Sequence, residues 1–448
     1  MGVPENVEAN RFIMESLFAT LTNVNFDDNH FRTELIPKAI QLRDQARAAY
    51  EQACKAKGVT PEVVSNPSAL WQMERSDMEW LLDESKSRGV LSHRSEFGEE
   101  ASSLQEMVVY GIKGVAAYAS HARLLGKEDD KVYAAVQEIL SNLSTKDENE
   151  LLGMALKVGA TNLRVLELLD NGHVARFGNP VPTPVRVTPV PGKCILVSGH
   201  DLHDLEQLLQ QTEGTGINVF THGEMLPAHG YPGLNKYSHL VGNYGGPWNL
   251  QKFEFAKFPG PIVMTTNCLI EPRKSYKDRI YTCNAVGWPG VPHIAGDKKD
   301  FSEVIKQAQS MEGFVQDKNY KGPEQTITVG FGQHTVLSLA DKVIDAVKAG
   351  HIKHFFVIGG CDGNENERNY YRDLALASPS SSVILTLGCG KYRFNKLDFG
   401  NVPNTPFPRV LDMGQCNDAY GAVMVASALA KAFNTDVNGK KRYVERTL

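Results

Sequence analysis

Six times along this chain an aliphatic or β-branched run stops at a small or polar residue with a metal-ligating side chain beside it. The six are His200 in CILVSGHD, Glu224 in VFTHGEM, Cys268 in IVMTTNC, Cys361 in FFVIGGCDG, Cys389 in VILTLGCGK and Cys416 in RVLDMGQCND. Each pattern reads as the end of a buried strand. In an α/β protein the carboxyl ends of the strands face one crevice, where ligands bind. Four soft thiols gathered there with one imidazole and one carboxylate suit an iron-containing cluster. Structural zinc is the simplest competitor, but it draws its cysteines in closely spaced pairs, and this chain has no C-x₂₋₄-C pair.

The alternation that produces these strand ends begins only after the first third of the chain. Residues 1 to about 185 read as helical, with apolar residues three and four apart in Glu34–Lys57, Ser103–Leu125, Asp130–Leu143 and Glu148–Leu169. Thr145 with Glu148 has the spacing of a capping box, and Asn171-Gly172 has the character of a stop. The proline-rich VPTPVRVTPVPGK follows and reads as a stiff linker. From Cys194 strands and helices alternate (CILVSG, DLHDLEQLLQQT, INVFTH, GPIVMTT, DFSEVIKQAQS), which predicts parallel strands covered by helices. A second such series runs through TITVGF, VLSLADKVIDAVKAG, HFFVIGG, VILTLG and RVLDMG, with the break placed at Glu312–Glu324. The fold class expected is multidomain α plus α/β: a helical bundle domain over 1–185, then two Rossmann-like α/β domains with mainly parallel sheets over 186–320 and 321–448.

Composition narrows the function classes. With 42% hydrophobic and 22% charged residues the chain is an ordinary globular protein. A net charge of −5 gives no basic footprint for nucleic acid. The longest uncharged apolar run, AYGAVMVASALA, is shorter than the roughly 20 residues that span a bilayer. MGVPENVEAN lacks a secretory pattern, and Asn6 stands where myristoylation needs Ser or Thr. A cytoplasmic location with no membrane or nucleic-acid partner is expected. Seven widely spread cysteines do not resemble a disulfide framework.

Cys361, Cys389 and Cys416 repeat the same strand–glycine–cysteine context, which a lone buried cysteine, the competing reading, would not. Cys416 also precedes a helix, whose N-terminus favours a thiolate. Cys54, Cys194 and Cys283 lack the pattern and read as structural. His222 and His229, in THGEMLPAHGY, are candidate proton donors beside Glu224. No G-x-G-x-x-G or P-loop string occurs, so a nucleotide cofactor is not indicated.

The strings SGHDLHDLEQLLQQTEGTGINVFTHGEMLPAHGYP, FPGPIVMTTNC, VGWPGV, IGGCDG, GCGKYRFNKLDFG and GQCNDAYGA resemble the hybrid cluster (prismane) proteins, the hydroxylamine reductases. The resemblance runs from Thr20 to about Val437. It implies a hybrid iron–sulfur–oxygen cluster of the 4Fe-2S-2O type held by His200, Glu224, Cys268, Cys361, Cys389 and Cys416, with Cys361 at the persulfide position. Catalytic work would fall to Cys361, Glu224 and His222. The implied reaction is reduction of hydroxylamine to ammonia and water, with nitric oxide reduction beside it and a role in nitrosative stress. A small nitrogenous substrate and a redox donor protein would be its partners. Two departures set further expectations. The family's N-terminal cysteine cluster, which holds a 4Fe-4S or 2Fe-2S relay, has no counterpart here, since only Cys54 lies in the first 190 residues. The relay is therefore expected to be absent. The family's last two site residues, a Glu and a Lys in a Trp-x-Glu-Gln-Lys string, are replaced after Asn438 by GKKRYVERTL, where Glu445 is the nearby carboxylate. The alternative is a shortened, cluster-deficient paralogue with a scaffold or simple metal-binding role. A carbon-monoxide-dehydrogenase-like enzyme is a third reading, which a nickel assay separates.

Overall fold

The structure is a computed structural model that describes residues 5–316, 322–361 and 367–434. The divergent C-terminal string and Glu445 lie outside the described residues. The chain divides into two compact units. One comprises residues 1–120, 128–165 and 287–290, and the other residues 121–127, 166–286 and 291–448.

The first unit is helical. Its helices arise where short polar side chains can cap them. Asn6 Oδ1 accepts the Ala9 amide at the start of Val7–Ala19, and Asp77 Oδ1 accepts that of Trp80 at the start of Met78–Lys86. The expected capping box at Thr145 is displaced. Asp147 Oδ1 takes the Asn149 and Glu150 amides, and the Thr145 hydroxyl bonds the Glu150 carboxylate instead. The helix that begins there, Glu148–Phe177, also runs through the expected stop at Asn171-Gly172. Gly172 serves packing: a Cβ there would lie 3.0 Å from Leu125 Cβ. The helix ends instead at Gly178, whose φ of +83° is left-handed.

The second unit carries the sheets. Strands β1 (Thr183–Arg186) and β8 (Thr326–Val329) form an antiparallel ribbon. The proline-rich segment is thus more than a linker, and TITV does not join the second sheet as expected. Pro184 is tolerated because a two-stranded ribbon leaves one edge of each strand unpaired. A six-stranded sheet follows, ordered β4-β3-β2-β5-β6-β7 with every pairing parallel. Its strands are β2 (Cys194–Ser198), β3 (Asn218–Thr221), β4 (Leu240–Asn243), β5 (Ile262–Met264), β6 (Ile280–Cys283) and β7 (His293–Ile294). The order reverses between β2 and β5, so a crevice opens beyond their carboxyl ends. A three-stranded parallel sheet, ordered β11-β10-β9, completes the unit with β9 (His354–Gly359), β10 (Ser382–Leu387) and β11 (Val410–Asp412).

Burial explains the strand compositions. Every residue of β2 and of β10 is buried, as continuous apolar runs between helical layers require. Leu205, Leu208 and Leu209 of helix Leu202–Thr212 and Val304 and Ala308 of helix Ser302–Ser310 pack with Ile195, Val197, Val219 and Val263 into the main core. The smaller sheet is covered on one face by Ala346, Ile352 and Val425 and on the other by Ala375 and Phe394. The fold is therefore multidomain α plus α/β with parallel sheets. Among the described residues no helix is long and apolar enough to cross a membrane.

Candidate functional site

All six strand-end residues follow strands of the second unit: His200 after β2, Glu224 after β3, Cys268 after β5, Cys361 after β9, Cys389 after β10 and Cys416 after β11. His200 and Cys268 flank the point where the strand order reverses. A Cβ on Gly199, whose φ is +105°, would lie 2.6 Å from the Thr266 amide nitrogen, so only glycine lets the two loops cross there. The crossing is sealed by the Thr266 hydroxyl, which accepts the His200 N–H at 2.8 Å.

Ligand atoms of His200, Glu224 and Cys416 lie within 4.8 Å of one another. Nδ1 of His200 is 2.9 Å from the carbonyl oxygen of Asn267. A carbonyl only accepts, so Nδ1 carries the proton and Nε2 keeps its lone pair. Burial lowers the His200 pKa, which favours this neutral form. Nε2 faces Cys416 Sγ at 3.4 Å and Glu224 Oε2 at 3.8 Å. The Cys416 N–H donates to Glu224 Oε2 at 2.8 Å, while Glu224 Oε1 is buried and has no hydrogen-bond partner among the described residues. The Cys389 thiol is held well above its usual pKa by burial, then by the charges of Glu224 and Cys268, a hydrogen bond to the Glu224 carboxylate and the charge of Cys416, so the four lie within electrostatic reach. Cys361 is exposed at the end of β9, yet enough protein surrounds it to raise its thiol, with Glu224 adding to the effect.

These residues fit a cationic iron centre. A buried carboxylate oxygen without a donor costs free energy until a cation or proton meets it. The neutral imidazole already has the orientation of a metal ligand, its far nitrogen anchored to a carbonyl. Neighbouring thiols that disfavour one another's ionisation would ionise together on a metal.

The two histidines expected to supply protons differ. His222 is fully buried between Ser198 Oγ on Nδ1 at 3.0 Å and Glu254 Oε2 on Nε2 at 2.9 Å. His229 bonds the Thr221 hydroxyl through Nε2 at 2.9 Å, and burial lowers its pKa to about 4. It is a neutral core histidine. Cys194 and Cys283 are buried in the core, and burial pushes the Cys194 thiol up to about 12. Sequence reasoning passed over Thr266 and Asn267, although TTNC places them beside Cys268, and it passed over Glu254, which no local pattern marks.

A helical region followed by parallel α/β sheets, with imidazole, carboxylate and thiols at the strand ends, defines a multidomain α plus α/β protein of the iron–sulfur type. The Prismane/CO dehydrogenase family matches residues 3–439, and the chain belongs to that family. It is 51% identical over 440 residues to the hydroxylamine reductase of Acidithiobacillus ferrooxidans, covering 98% of this chain and 77% of the relative. The identity and coverage are the same for the hydroxylamine reductase of Burkholderia ambifaria. Among solved structures, a nickel-free carbon monoxide dehydrogenase from Thermococcus sp. AM4 aligns with a TM-score of 0.53 at 14% identity, covering 96% of this chain and 72% of that one. An acetyl-CoA synthase/carbon monoxide dehydrogenase aligns with a TM-score of 0.56 at 15% identity, covering 96% and 70%. At these identities the likeness is one of fold.

Proposed function

We infer that the chain is a hybrid-cluster-type oxidoreductase that reduces hydroxylamine, taking two electrons and two protons to give ammonia and water. The observation that carries this reading is the convergence of the buried His200 and Glu224 with the half-buried Cys416 from three separate strand ends, with Cys389 and Cys268 in electrostatic reach. Half-identical relatives that bear the name hydroxylamine reductase support it. His200, Glu224, Cys268, Cys361, Cys389 and Cys416 would hold the hybrid cluster. When bound, the cluster supplies Lewis acidity and electrons for cleavage of the N–O bond. The electrons come from a redox donor protein.

The chain's own residues then set geometry and protons. Asn267 and Thr266 fix the His200 ring, and the Cys416 N–H fixes the Glu224 carboxylate. His222 is the proton carrier. Glu254, whose side chain is one-fifth exposed, accepts from His222 Nε2, and the Ser198 hydroxyl donates to Nδ1. This chain of hydrogen bonds leads from a solvent-touched carboxylate to the residue two positions before His200.

The test is iron and acid-labile sulfide per chain in protein purified without oxygen, followed by hydroxylamine consumption with an artificial donor. About four irons are expected, with ammonia formed at two electrons each. Folded protein that takes up no iron, or nickel in its place, overturns the reading.

A further inference from the structure

A buried ion pair lies directly beneath two of the thiol loops. Lys391, 1% exposed, donates from Nζ to Asp412 Oδ1 at 2.5 Å and to the Gly414 carbonyl at 2.7 Å. Lys391 is two residues after Cys389, whereas Asp412 and Gly414 lead into Cys416. The same carbonyl accepts the Gly388 N–H at 3.2 Å, and Asp412 Oδ1 also accepts the Gly414 N–H at 3.0 Å. On the other side the Gly390 N–H donates to the Gly360 carbonyl at 2.8 Å, which ties in the loop of Cys361. The turn 388–391 therefore fastens all three thiol loops of the smaller sheet, and Lys391 provides its side-chain fastening.

Stability alone is a poor reason for such a pair. Desolvating an ammonium and a carboxylate offsets their attraction, and apolar replacements of similar volume are often as stable. What the pair supplies is register. Both hydrogen bonds have fixed directions and both end on the segment before Cys416.

We propose that Lys391, paired with Asp412, is a positioning residue that holds the Cys389 and Cys416 loops at the spacing the cofactor requires. The proposal rests on the reading that these two cysteines are cofactor donors. Groups that orient metal ligands typically change metal affinity by about 10- to 100-fold when removed.

The experiment uses the full chain as wild type, K391R, K391M and the double variant K391M/D412L, which leaves no unpaired buried charge if K391M alone fails to fold. Two readouts are taken: the electron paramagnetic resonance spectrum with iron content of protein purified without oxygen, and iodoacetamide labelling of each cysteine in iron-free protein. The double variant is expected to label Cys389 and Cys416 several-fold faster than wild type, with the buried Cys194 and Cys283 unchanged. It should hold iron about 10- to 100-fold more weakly and show an altered spectrum, with K391R in between. Wild-type labelling and spectrum in the double variant overturn the proposal. So does a rise at Cys194 and Cys283 in step with the others, since the pair would then be a general prop of the fold. C389S and C416S test the donor reading separately. If both keep full iron, that reading fails, while the labelling of iron-free protein still decides whether Lys391 sets the loops.

Discussion

At the scale of single residues, the proposed site depends as much on what orients the proposed donors as on those donors themselves. Thr266→Val removes the hydroxyl that accepts the His200 N–H and lies 3.1 Å from Nδ1. Iron retention against a chelator should fall about 10- to 100-fold, with little change in melting temperature. His222→Asn should leave iron content intact and slow hydroxylamine turnover about 100-fold or more, the usual weight of a proton-transfer group. Equal turnover would remove His222 from the mechanism. The strand-end positions of the six proposed donors were legible in the sequence because a fully buried strand must stop where the backbone turns, and glycine or a polar residue marks the stop. Their supports were not. Lys391 in GCGKYR has the composition of a surface turn, and only the approach of β11 to β10 brings Asp412 beside it. Glu254 is 32 residues from His222, on a helix with no outward sign of the contact.

At the scale of elements, the glycine before His200 decides whether the β2 and β5 loops can cross. Gly199→Ala combines a left-handed φ with a collision at the Thr266 amide, so urea unfolding should show a loss of at least about 2 kcal/mol. Gly214→Ala, left-handed at φ +72° with open space around its Cβ, should lose only about 1 kcal/mol. Equal losses would mean that the loop contact carries no weight. Element types were read from periodicity with few errors, because strands buried on both faces and amphipathic helices leave different patterns. The misreadings have local causes. Thr145 has the right spacing to cap, but Asp147 stands closer to the free amides and takes them. TITV looks like one more core strand, yet its alternate residues are exposed and it pairs with the proline-rich segment.

At the scale of the whole molecule, buried titratable groups pull stability in opposite directions with pH. Burial lowers the pKa values of His121 and His229 to about 4, whereas an unfolded histidine protonates near 6.5. Between those values the unfolded chain binds more protons, so their contribution is lost as pH falls from 6.5 towards 4. Asp170 behaves oppositely. Burial, reinforced by Asp418, raises it from 3.8 to about 6, so its contribution is present below 3.8 and lost as pH rises through 6. Urea unfolding from pH 4.5 to 7 should show a flatter acid side for His229→Gln, by about 2 kcal/mol over that range. Asp170→Asn should gain about 1 kcal/mol at pH 7, discounted for the partial exposure of this half-buried group. The reverse signs would contradict the burial of these groups. The spread of the donors along the chain has a different consequence. Glu224 meets the Cys416 loop across 192 residues and His200 meets Cys416 across 216. No two donors are close enough in sequence to capture a metal while the chain is still open, as the paired ligands of a zinc finger do. With the proposed donor set, the expectation is that the polypeptide folds before its cofactor is fitted, so that loading is a late insertion into a ready-made socket. Stripped protein should accordingly be folded and unfold at a lower temperature than loaded protein, and defects in the proposed donors should surface as empty protein instead of unfolded protein.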